Sequence, residues 1–365
     1  MSRLTDHTGQ SPVPFSVLDL SVVREGGDPR AALRETAELA RAAEAYGYHR
    51  FWVAEHHNFP ASASPAPAVL LAHLGGVTRS IRLGSGGVML PHHAPLVVAE
   101  QFGVLNAFYP GRVDLGIGRS AGGFGAVTQA LGTSEHSFST EGFLERVQAL
   151  SHYVRESGRD HRAAAPEDVQ VVPAAPDLPL WILGSGTSGA EVAARLGMGF
   201  VAAYHITGER AVTAAQDYRA HFTPARPGAE PYVMLSVNTF CADTEEKALQ
   251  LARSGALMML RASRGEPSAL PSPLTAQTYD YTAGEREWTE RWLGNVVHGT
   301  PATVQEKITE LLGRTAADEI MISSLIHDAA PRYRSHELVA GAFGLSGRPA
   351  PQGTPAGSLL DGRIG

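Results

Sequence analysis

Two adjacent histidines and a carboxylate end a short apolar run, in the stretch FWVAEHHNFP at residues 51–60. Histidine is the side chain best suited to proton transfer near neutral pH, and it is also a common metal ligand. Glu55, His56 and His57 therefore allow three interpretations: proton transfer or anion stabilisation by one imidazole beside a cofactor, a structural hydrogen bond, or a metal site. We favour the first, with His56 and His57 as candidate catalytic residues.

A metal site would have to recruit a second histidine pair, His92 and His93, which follows the next apolar segment. Consecutive residues of a strand point to opposite faces, so His56 and His57 do not easily bind one ion. Barrel metallohydrolases typically carry a His-x-His pair on their first strand, and the first strand candidate here, FSVLDLS, has no histidine. We therefore predict no metal ligands.

A turn rich in glycine and hydroxyl groups, GSGTSG at residues 184–189, separates the apolar run LPLWIL from a helical segment. Glycines let backbone N–H groups approach an anion, and a helix N-terminus adds positive potential, so the turn can bind a phosphate or simply start a helix. The residues predicted to bind a phosphate are Ser185, Gly186, Thr187 and Ser188. The spacing also fits a dinucleotide fingerprint, but Tyr204 and His205 stand where that fingerprint needs an acid.

Two other glycine-rich turns follow apolar runs. Gly86 and Gly87 can let a flat ligand approach the backbone, or they can form a bulge at the rim of a barrel. Arg119, the one cation of the loop DLGIGRSAGGFG, can pair with a phosphate, or its guanidinium can be solvated. We predict that Gly86, Gly87 and Arg119 contact a cofactor.

The rest of the chain supplies a scaffold that can bring these turns together. Eight apolar segments alternate with helix-like segments, which is typical of a parallel sheet covered by helices. Eight such units suit a closed (β/α)8 TIM barrel, whose functional residues lie at the C-terminal ends of the strands. The predicted strands are 15–21, 48–55, 81–90, 112–118, 178–184, 199–204, 232–242 and 318–326. The predicted helices include 29–46, 65–78, 95–111, 140–156, 209–222 and 301–313.

One stretch does not fit the alternation. Residues 262–298 carry three prolines, two tyrosines and two tryptophans, and we interpret them as a long insertion before the eighth strand that can act as a lid. Residues 1–13 and 346–365 are rich in glycine, proline and polar residues and are predicted to be flexible tails. Residues 14–345 then form a single barrel domain.

Composition narrows the classes of function. The 365 residues carry a net charge of −7 without a basic run, so we expect no nucleic-acid partner. No apolar run approaches the roughly 20 residues that a membrane-spanning helix needs, and the N-terminus lacks the apolar core of a signal peptide. We expect no membrane association and a cytoplasmic location. The lone Cys241 excludes an internal disulfide and a cysteine zinc site.

Taken in order, these motifs resemble those of the bacterial luciferase-like flavin monooxygenases, in particular the single-chain luciferase-like group. The matching stretches are GYHRFWVAEHHN, VMLPHHAPLVVAEQFGVLNAFYPGRVDLGIGR and WILGSGTSGAEVAARLG. The resemblance covers about residues 13–340. It implies a (β/α)8 barrel that binds reduced FMN at the C-terminal ends of its strands, and a homodimer formed through the helices at about 65–78 and 95–109.

The resemblance also assigns roles to individual residues. His56 matches the histidine that works near the flavin C4a position, with His57 as its neighbour, and Gly86-Gly87 match a pair joined by a cis peptide under the isoalloxazine. Arg119, Ser185 and Ser188 match phosphate contacts. The chain departs from the family at Gly184, where a glutamate often stands.

The expected activity is oxidation of a small organic substrate by O2 that adds at C4a of reduced FMN, with the FMN reduced by a separate flavin reductase. Substrate oxygenation can then take the form of aldehyde or ketone oxidation or of ring hydroxylation. The alternatives are an F420-dependent oxidoreductase that transfers hydride without oxygen, and a flavin-binding protein without catalytic activity. We favour FMN over F420 because Arg119 is the one cation that the sequence places near the site.

Overall fold

The computed structural model describes residues 11, 13–122, 125–156 and 169–346. The two predicted tails lie almost wholly outside these residues. Within the described part of the chain, strands and helices alternate in the order that the apolar pattern predicts.

The strands belong to one sheet. They are β1 (Phe15–Asp19), β2 (Arg50–Val53), β3 (Arg82–Ser85), β4 (Val88–Met89), β5 (Val113–Gly118), β6 (Leu180–Gly184), β7 (Gly199–Ala203), β8 (Val233–Cys241), β9 (Val297–Gly299) and β10 (Glu319–Ser323).

The helices surround this sheet. They are α1 (Pro29–Tyr46), α2 (Pro67–Val77), α3 (Pro95–Phe108), α4 (Gly125–Ala130), α5 (Thr140–Glu156), α6 (Thr187–Leu196), α7 (Tyr204–Thr207), α8 (Glu209–Ala220), α9 (Glu245–Ser263), α10 (Pro273–Thr278), α11 (Ala283–Gly294), α12 (Pro301–Thr315) and α13 (Ala329–Ala342). Short 3-10 turns lie at Leu90–His92 and Glu135–Phe138.

Eight of the strands close a barrel in the order β1-β2-β3-β5-β6-β7-β8-β10, and β10 pairs back to β1. β4 continues the path of β3 along β5, and β9 extends β8. Every pairing between these strands is parallel, so their C-terminal ends all meet at one rim. The predicted (β/α)8 TIM barrel is confirmed.

Helix boundaries follow local sequence signals. The Asp28 side chain accepts a hydrogen bond from the Arg30 N–H before Pro29 starts α1, and Gly47 ends that helix with a φ of 91°. Thr300 caps α12 in the same way, ahead of Pro301. The helices therefore begin and end close to the residues that the sequence predicts.

Side-chain alternation along the strands divides the core into two parts. On β5, Val113, Leu115 and Ile117 belong to the large cluster between sheet and helices, whereas Asp114 and Gly116 face the barrel interior. A smaller cluster fills the middle of the interior and comprises Leu18, Trp52, Ala54, Trp181, Val201, Met234 and Met321. The interior is thus a packed core rather than a pore.

Glycines inside the barrel make room for two tryptophans. A Cβ at Gly84 would come within 2.4 Å of the Trp52 indole nitrogen, and one at Gly199 within 2.3 Å of the Trp181 ring. The two indoles meet edge to face, with their centroids 6.0 Å apart. They form a solid layer across the barrel beneath its C-terminal rim.

The structure departs from the predicted elements in two places. The predicted strand 81–90 is split into β3 and β4 by the Gly86-Gly87 pair, whose peptide bond is cis. The predicted insertion contains α10, α11 and β9. The two helices were not predicted, because the proline and glycine content of the segment favours loops. Helices α4 and α7 are each only about one or two turns long and carry no clear periodic signal.

No helix in the described residues combines the length and the apolar character that crossing a membrane would require.

Candidate active site

A cavity of about 560 Å³ opens at the C-terminal rim of the barrel. Its size lies within the roughly 300–1,000 Å³ usual for small-molecule sites. The sequence-predicted residues that line it are His56, Gly86, Gly87, Arg119, Ser185 and Ser188. His57, Gly186 and Thr187 lie just outside this lining. One cavity therefore brings together residues that are up to 132 positions apart in the sequence, from His56 to Ser188.

The wall after β3 is a stretch of bare backbone. The Gly86-Gly87 peptide bond is cis, as the family resemblance implies. A Cβ at Gly86 would lie 2.4 Å from Leu18 Cδ1, and one at Gly87 would lie 2.9 Å from the Gly116 carbonyl oxygen. A side chain at Gly87 would require the Gly116 backbone to shift, whereas one at Gly86 would have to displace the Leu18 side chain. With glycine at both positions, the cavity has one flat wall without side chains.

His56 contributes an imidazole whose Nδ1 has no hydrogen-bond partner among the described residues. Its backbone N–H donates to the Ser64 carbonyl at 3.0 Å, and the ring stacks near Phe59. The Nδ1 atom is also buried. Burial, with smaller contributions from His57 and His205, lowers the pKa of His56 to about 4 against the opposing effect of Glu55. The ring is therefore neutral at neutral pH.

The imidazole of His57, in contrast, is hydrogen-bonded to another side chain. Its Nε2 lies 2.8 Å from Oε1 of the buried Glu55, and His93 Nε2 lies 2.7 Å from the same oxygen. The Met89 N–H donates to the other carboxylate oxygen at 3.1 Å. Burial acts to raise the pKa of Glu55, but these hydrogen bonds outweigh it and the pKa is lowered. Glu55 is thus a charged anchor that fixes both imidazoles.

The same three residues form the one group in the described chain with the composition of a metal site. Ligand atoms of Glu55, His57 and His93 all lie within 4.8 Å of one another. This group differs from the set weighed from the sequence, because His56 turns to the cavity and His92 bonds Thr133 and the Ala121 carbonyl instead. Direct imidazole–carboxylate hydrogen bonds account for its geometry without an ion.

The opposite end of the cavity is cationic. Arg119 donates from Nη2 to the Ser188 hydroxyl at 2.8 Å and from Nη1 to the Thr140 hydroxyl at 2.7 Å. Helix α6 starts beside it, and its N-cap, Gly186, provides no side-chain cap for the first N–H groups. Gly184 and Gly189 touch, since a Cβ at Gly184 would lie 3.1 Å from the Gly189 Cα. A side chain at Gly184 would therefore require the neighbouring Gly189 backbone to move by a few tenths of an ångström.

Sequence reasoning missed a second cation at this turn. Arg210, near the start of α8, has its NH2 group 3.5 Å from the Cβ position of Gly186. The expectation that Arg119 is the one cation near the site is therefore wrong. Arg210 lies 24 positions after Gly186 in the chain, and only the folding of α8 against α6 brings it there.

Other cavity residues were also missed. They are contributed by α7, β8, α9 and β10, and include His205, Ser236, Asn238, Met258, Met259 and Ser323. Burial lowers the pKa of His205 to about 4. The position of His205 directly after the sixth predicted strand was a usable signal, because functional residues of a barrel lie at strand ends.

Only the first residue of the predicted lid, Ala262, lines the cavity. Tyr279, Tyr281 and Trp288 pack against Leu257 and Leu260 of α9, and Trp292 packs on Phe240. No residue between 263 and 298 lines the cavity. The aromatic residues of the insertion instead support α9 from behind, and α9 supplies Met258, Met259 and Ala262 to the cavity wall.

Known proteins were compared with the chain. A family model described as luciferase-like monooxygenase matches residues 13–319. A luciferase-like monooxygenase of Escherichia coli K12 is 37% identical over 335 residues, which is 92% of this chain and 97% of that protein. The N-acetyl-S-alkylcysteine monooxygenase of Bacillus subtilis is 37% identical over 348 residues, covering 90% of this chain and 98% of the relative.

Solved structures agree with the barrel. The crystal structure of apo-MsnO8 superposes with a TM-score of 0.83 at 37% identity, covering 92% of this chain and all of that one. The oxygenating constituent of 3,6-diketocamphane monooxygenase from Pseudomonas putida, solved with FMN, has a TM-score of 0.66 at 20% identity and covers 91% and 98% of the two chains. The F420-dependent tetrahydromethanopterin reductase of Methanopyrus kandleri has a TM-score of 0.60 at 16% identity, with 90% and 97% covered.

Proposed function

Because the chain belongs to the luciferase-like monooxygenase family, we propose that it uses reduced FMN and O2 to oxidise a small organic substrate. The observation that carries this proposal is the single cavity in which the flat Gly86-Gly87 wall, the His56 imidazole with its unpartnered Nδ1 and the cationic Arg119 end come together. A site for a flavin phosphate must provide a flat surface for the ring, a group that transfers protons, and positive charge for the anionic tail.

The residues present fit such a group. Gly86 and Gly87 leave a wall without side chains against which an isoalloxazine ring can lie. Arg119, Ser185 and Ser188 form a donor set suited to a phosphate, next to the uncapped start of α6. The unpartnered Nδ1 of His56 is a polar atom that a ligand would satisfy.

When bound, reduced FMN supplies the two electrons with which O2 is activated. His56 donates or accepts a proton at a nitrogen of its own imidazole, and its low pKa keeps this ring neutral and able to accept a proton. His57 holds the Glu55 carboxylate in place rather than reaching the cavity. Apolar side chains such as Leu18, Leu20 and Leu183 keep water from the reacting groups.

The partners of the enzyme are also part of the proposal. A separate reductase supplies the reduced FMN, because the turn at 184–189 is not followed by the acid that a nicotinamide site requires. A homodimer is supported by apolar residues exposed on α2 and α3, where Val69 is 72% and Phe108 is 71% exposed. A cytoplasmic location fits a chain whose cysteine is free and buried. The activity of the Bacillus subtilis relative makes small thioethers the first substrates to test.

An F420-dependent hydride transfer stays as a second candidate, because Arg210 adds a cation beside the phosphate turn. A longer anionic cofactor tail would need more positive charge than Arg119 alone provides. The flat wall and the neutral His56 fit a deazaflavin ring equally well.

An anaerobic titration discriminates between these functions. Purified protein is titrated with reduced FMN, reduced riboflavin and reduced F420 side by side, and air is then admitted while oxygen is recorded. We expect reduced FMN to bind at least tenfold more tightly than the other two. On admission of air, a thioether substrate should be converted to its oxygenated product, and correspondingly less hydrogen peroxide should be released than without the substrate. Tight F420 binding without oxygen uptake would replace the proposal by its alternative, and binding of none of the three would refute both.

A further inference from the structure

The cavity has a second wall that the proposed cofactor contacts do not use. In the closed strand order, β7 and β8 lie across the barrel from β2 and β3, which are followed by His56 and by Gly86-Gly87. This second wall carries His205 after β7, Ser236 and Asn238 on β8, and Ser323 on β10. A flat ring lying on the first wall would leave this polar strip facing the remaining space.

The tautomer of His205 is fixed by its surroundings. Its Nδ1 lies 3.2 Å from the Ser236 carbonyl oxygen. A carbonyl oxygen only accepts hydrogen bonds, so Nδ1 must carry the hydrogen. In the neutral ring, Nε2 is then an acceptor, and no described residue donates to it. His205 therefore offers a lone pair to whatever occupies the cavity.

Ser236 adds a complementary group at the same place. Its hydroxyl oxygen is buried and has no hydrogen-bond partner among the described residues, although its carbonyl anchors His205. A hydroxyl can both donate and accept. A ligand with an N–H or O–H group next to a carbonyl or ether oxygen would satisfy both residues, and leaving them unmet in a closed site is costly.

The space next to this pair is apolar and adaptable. Met258 and Met259 of α9 line it, together with Ile206, Phe59 and Leu325. Methionine side chains are flexible and fill irregular gaps, so they can pack against alkyl chains of different shape.

We propose that the β7–β8 wall is the substrate subsite and that His205 selects amphiphilic substrates whose N–H or O–H group sits beside an alkyl chain. This inference rests on the proposed function only in taking the bound molecule to be a substrate. The predicted binding selectivity requires neither flavin nor turnover. His205 acts here as a specificity-determining residue.

The test compares two probes that differ by one hydrogen-bond donor. N-hexylacetamide has an amide N–H, and N-hexyl-N-methylacetamide has none. Isothermal titration calorimetry of the flavin-free protein should show the first probe binding about tenfold more tightly than the second, because a donor-less ligand leaves Nε2 unpaired. In His205→Leu the two affinities should become equal, and His205→Gln, which keeps an acceptor, should restore part of the difference.

His152→Leu is the matched control, since His152 is exposed on α5 and should leave the selectivity unchanged. Nitrogen-15 spectra of the imidazoles should give His205 the tautomer protonated at Nδ1. Equal affinities in the unaltered protein, no binding of either probe, or selectivity that survives His205→Leu would each overturn the subsite. Reduced FMN is titrated into the same samples. If it does not bind while the protein still discriminates between the two probes, only the proposed function is refuted.

Discussion

The two ends of the barrel interior treat polar groups in opposite ways. At the N-terminal end, Arg50 lies between Asp114 at 2.7 Å and Glu319 at 3.0 Å, and all three are buried. At the C-terminal end, His56 Nδ1 and the Ser236 hydroxyl are buried without partners among the described residues. The polar groups at the N-terminal end are hydrogen-bonded within the protein, whereas those at the C-terminal end can be satisfied by a ligand.

The lower network has further members that complete it. Arg82 donates to Asp114 at 2.6 Å, Tyr232 donates to Glu319 at 2.8 Å, and the Ser16 hydroxyl donates to Glu319 as well. Burial acts to lower the pKa of Arg50, but the two carboxylates outweigh it and raise the pKa. Burial raises the pKa of Glu319 even so. Such a saturated network stabilises one arrangement of the strands and offers nothing to a substrate.

The Trp52 and Trp181 layer separates these two ends. Arg50, Asp114 and Glu319 do not line the cavity, so the ionic network below the layer makes no direct contact with a molecule bound above it. The difference indicates where to look for function in such a barrel: among buried polar atoms that the protein leaves unpaired, rather than among its closest ion pairs.

Arg50→Met should have the largest effect on stability. It leaves Glu319 buried without its cation and should lower the free energy of unfolding by about 3–5 kcal/mol, measured by urea denaturation. Arg291→Ala, which breaks an exposed pair with Glu287, is the control and should cost less than about 1 kcal/mol. If Arg50→Met is too unstable to purify, adding Glu319→Gln should recover part of the loss. A loss below about 1 kcal/mol would show that the lower network is not structural.

His56→Ala should affect turnover instead. Loss of a positioned proton-transfer group should lower kcat about 100-fold while the affinity for reduced FMN changes little. Because the neutral ring is the active form and its pKa is about 4, the contribution of His56 to the rate should be constant above about pH 5 and be lost as the pH falls through 4. His57→Ala, the neighbouring comparison, should mainly reduce stability. Unchanged turnover in His56→Ala would remove it from the mechanism.

Arg119→Ala should weaken the binding of reduced FMN about 10- to 100-fold, because it removes a charge-assisted contact to the phosphate. Reduced riboflavin, which has no phosphate, should bind the variant and the original protein equally well. Stability should change by less than about 1 kcal/mol, since Arg119 contacts only hydroxyl groups. A parallel loss of riboflavin affinity would indicate a general disturbance of the cavity and contradict the assignment.

A matched pair of buried serines gives the smallest and sharpest contrast. Ser16→Ala removes a hydroxyl that donates to Glu319 and should destabilise the protein by about 1–3 kcal/mol. Ser236→Ala removes a hydroxyl without a partner and should change the stability by less than about 0.5 kcal/mol, or raise it. Thermal unfolding of both variants measures the difference. Equal losses would mean that the two ends of the interior are not distinct.

Much of this arrangement could be predicted from the sequence, because barrel strands and their following turns have local signatures. The turns at Gly86-Gly87, Arg119 and 184–189 were recognisable, and the parallel barrel explains why they meet. Arg210 and the Glu55–His93 contact were not predictable, since each joins segments that only the folded chain brings together. The inward face of β8 was overlooked although Ser236 and Asn238 alternate with the apolar Leu235 and Val237, so the period of two in that strand was a usable signal.

The lid was predicted from composition alone, and composition does not say against what an aromatic side chain packs. Trp288 and Tyr281 have the same sequence signature whether they cover a cavity or support a helix. The periodic pattern of α9, which places Met258 and Met259 at the cavity, was the better guide.

A crystal structure of the protein with FMN bound tests the central assignment most directly. We expect the isoalloxazine ring to lie against Gly86-Gly87 and beside His56, with the phosphate hydrogen-bonded to Arg119 and Ser188 and the β7–β8 wall free. A flavin bound elsewhere, or one whose phosphate lies away from Arg119, would contradict it.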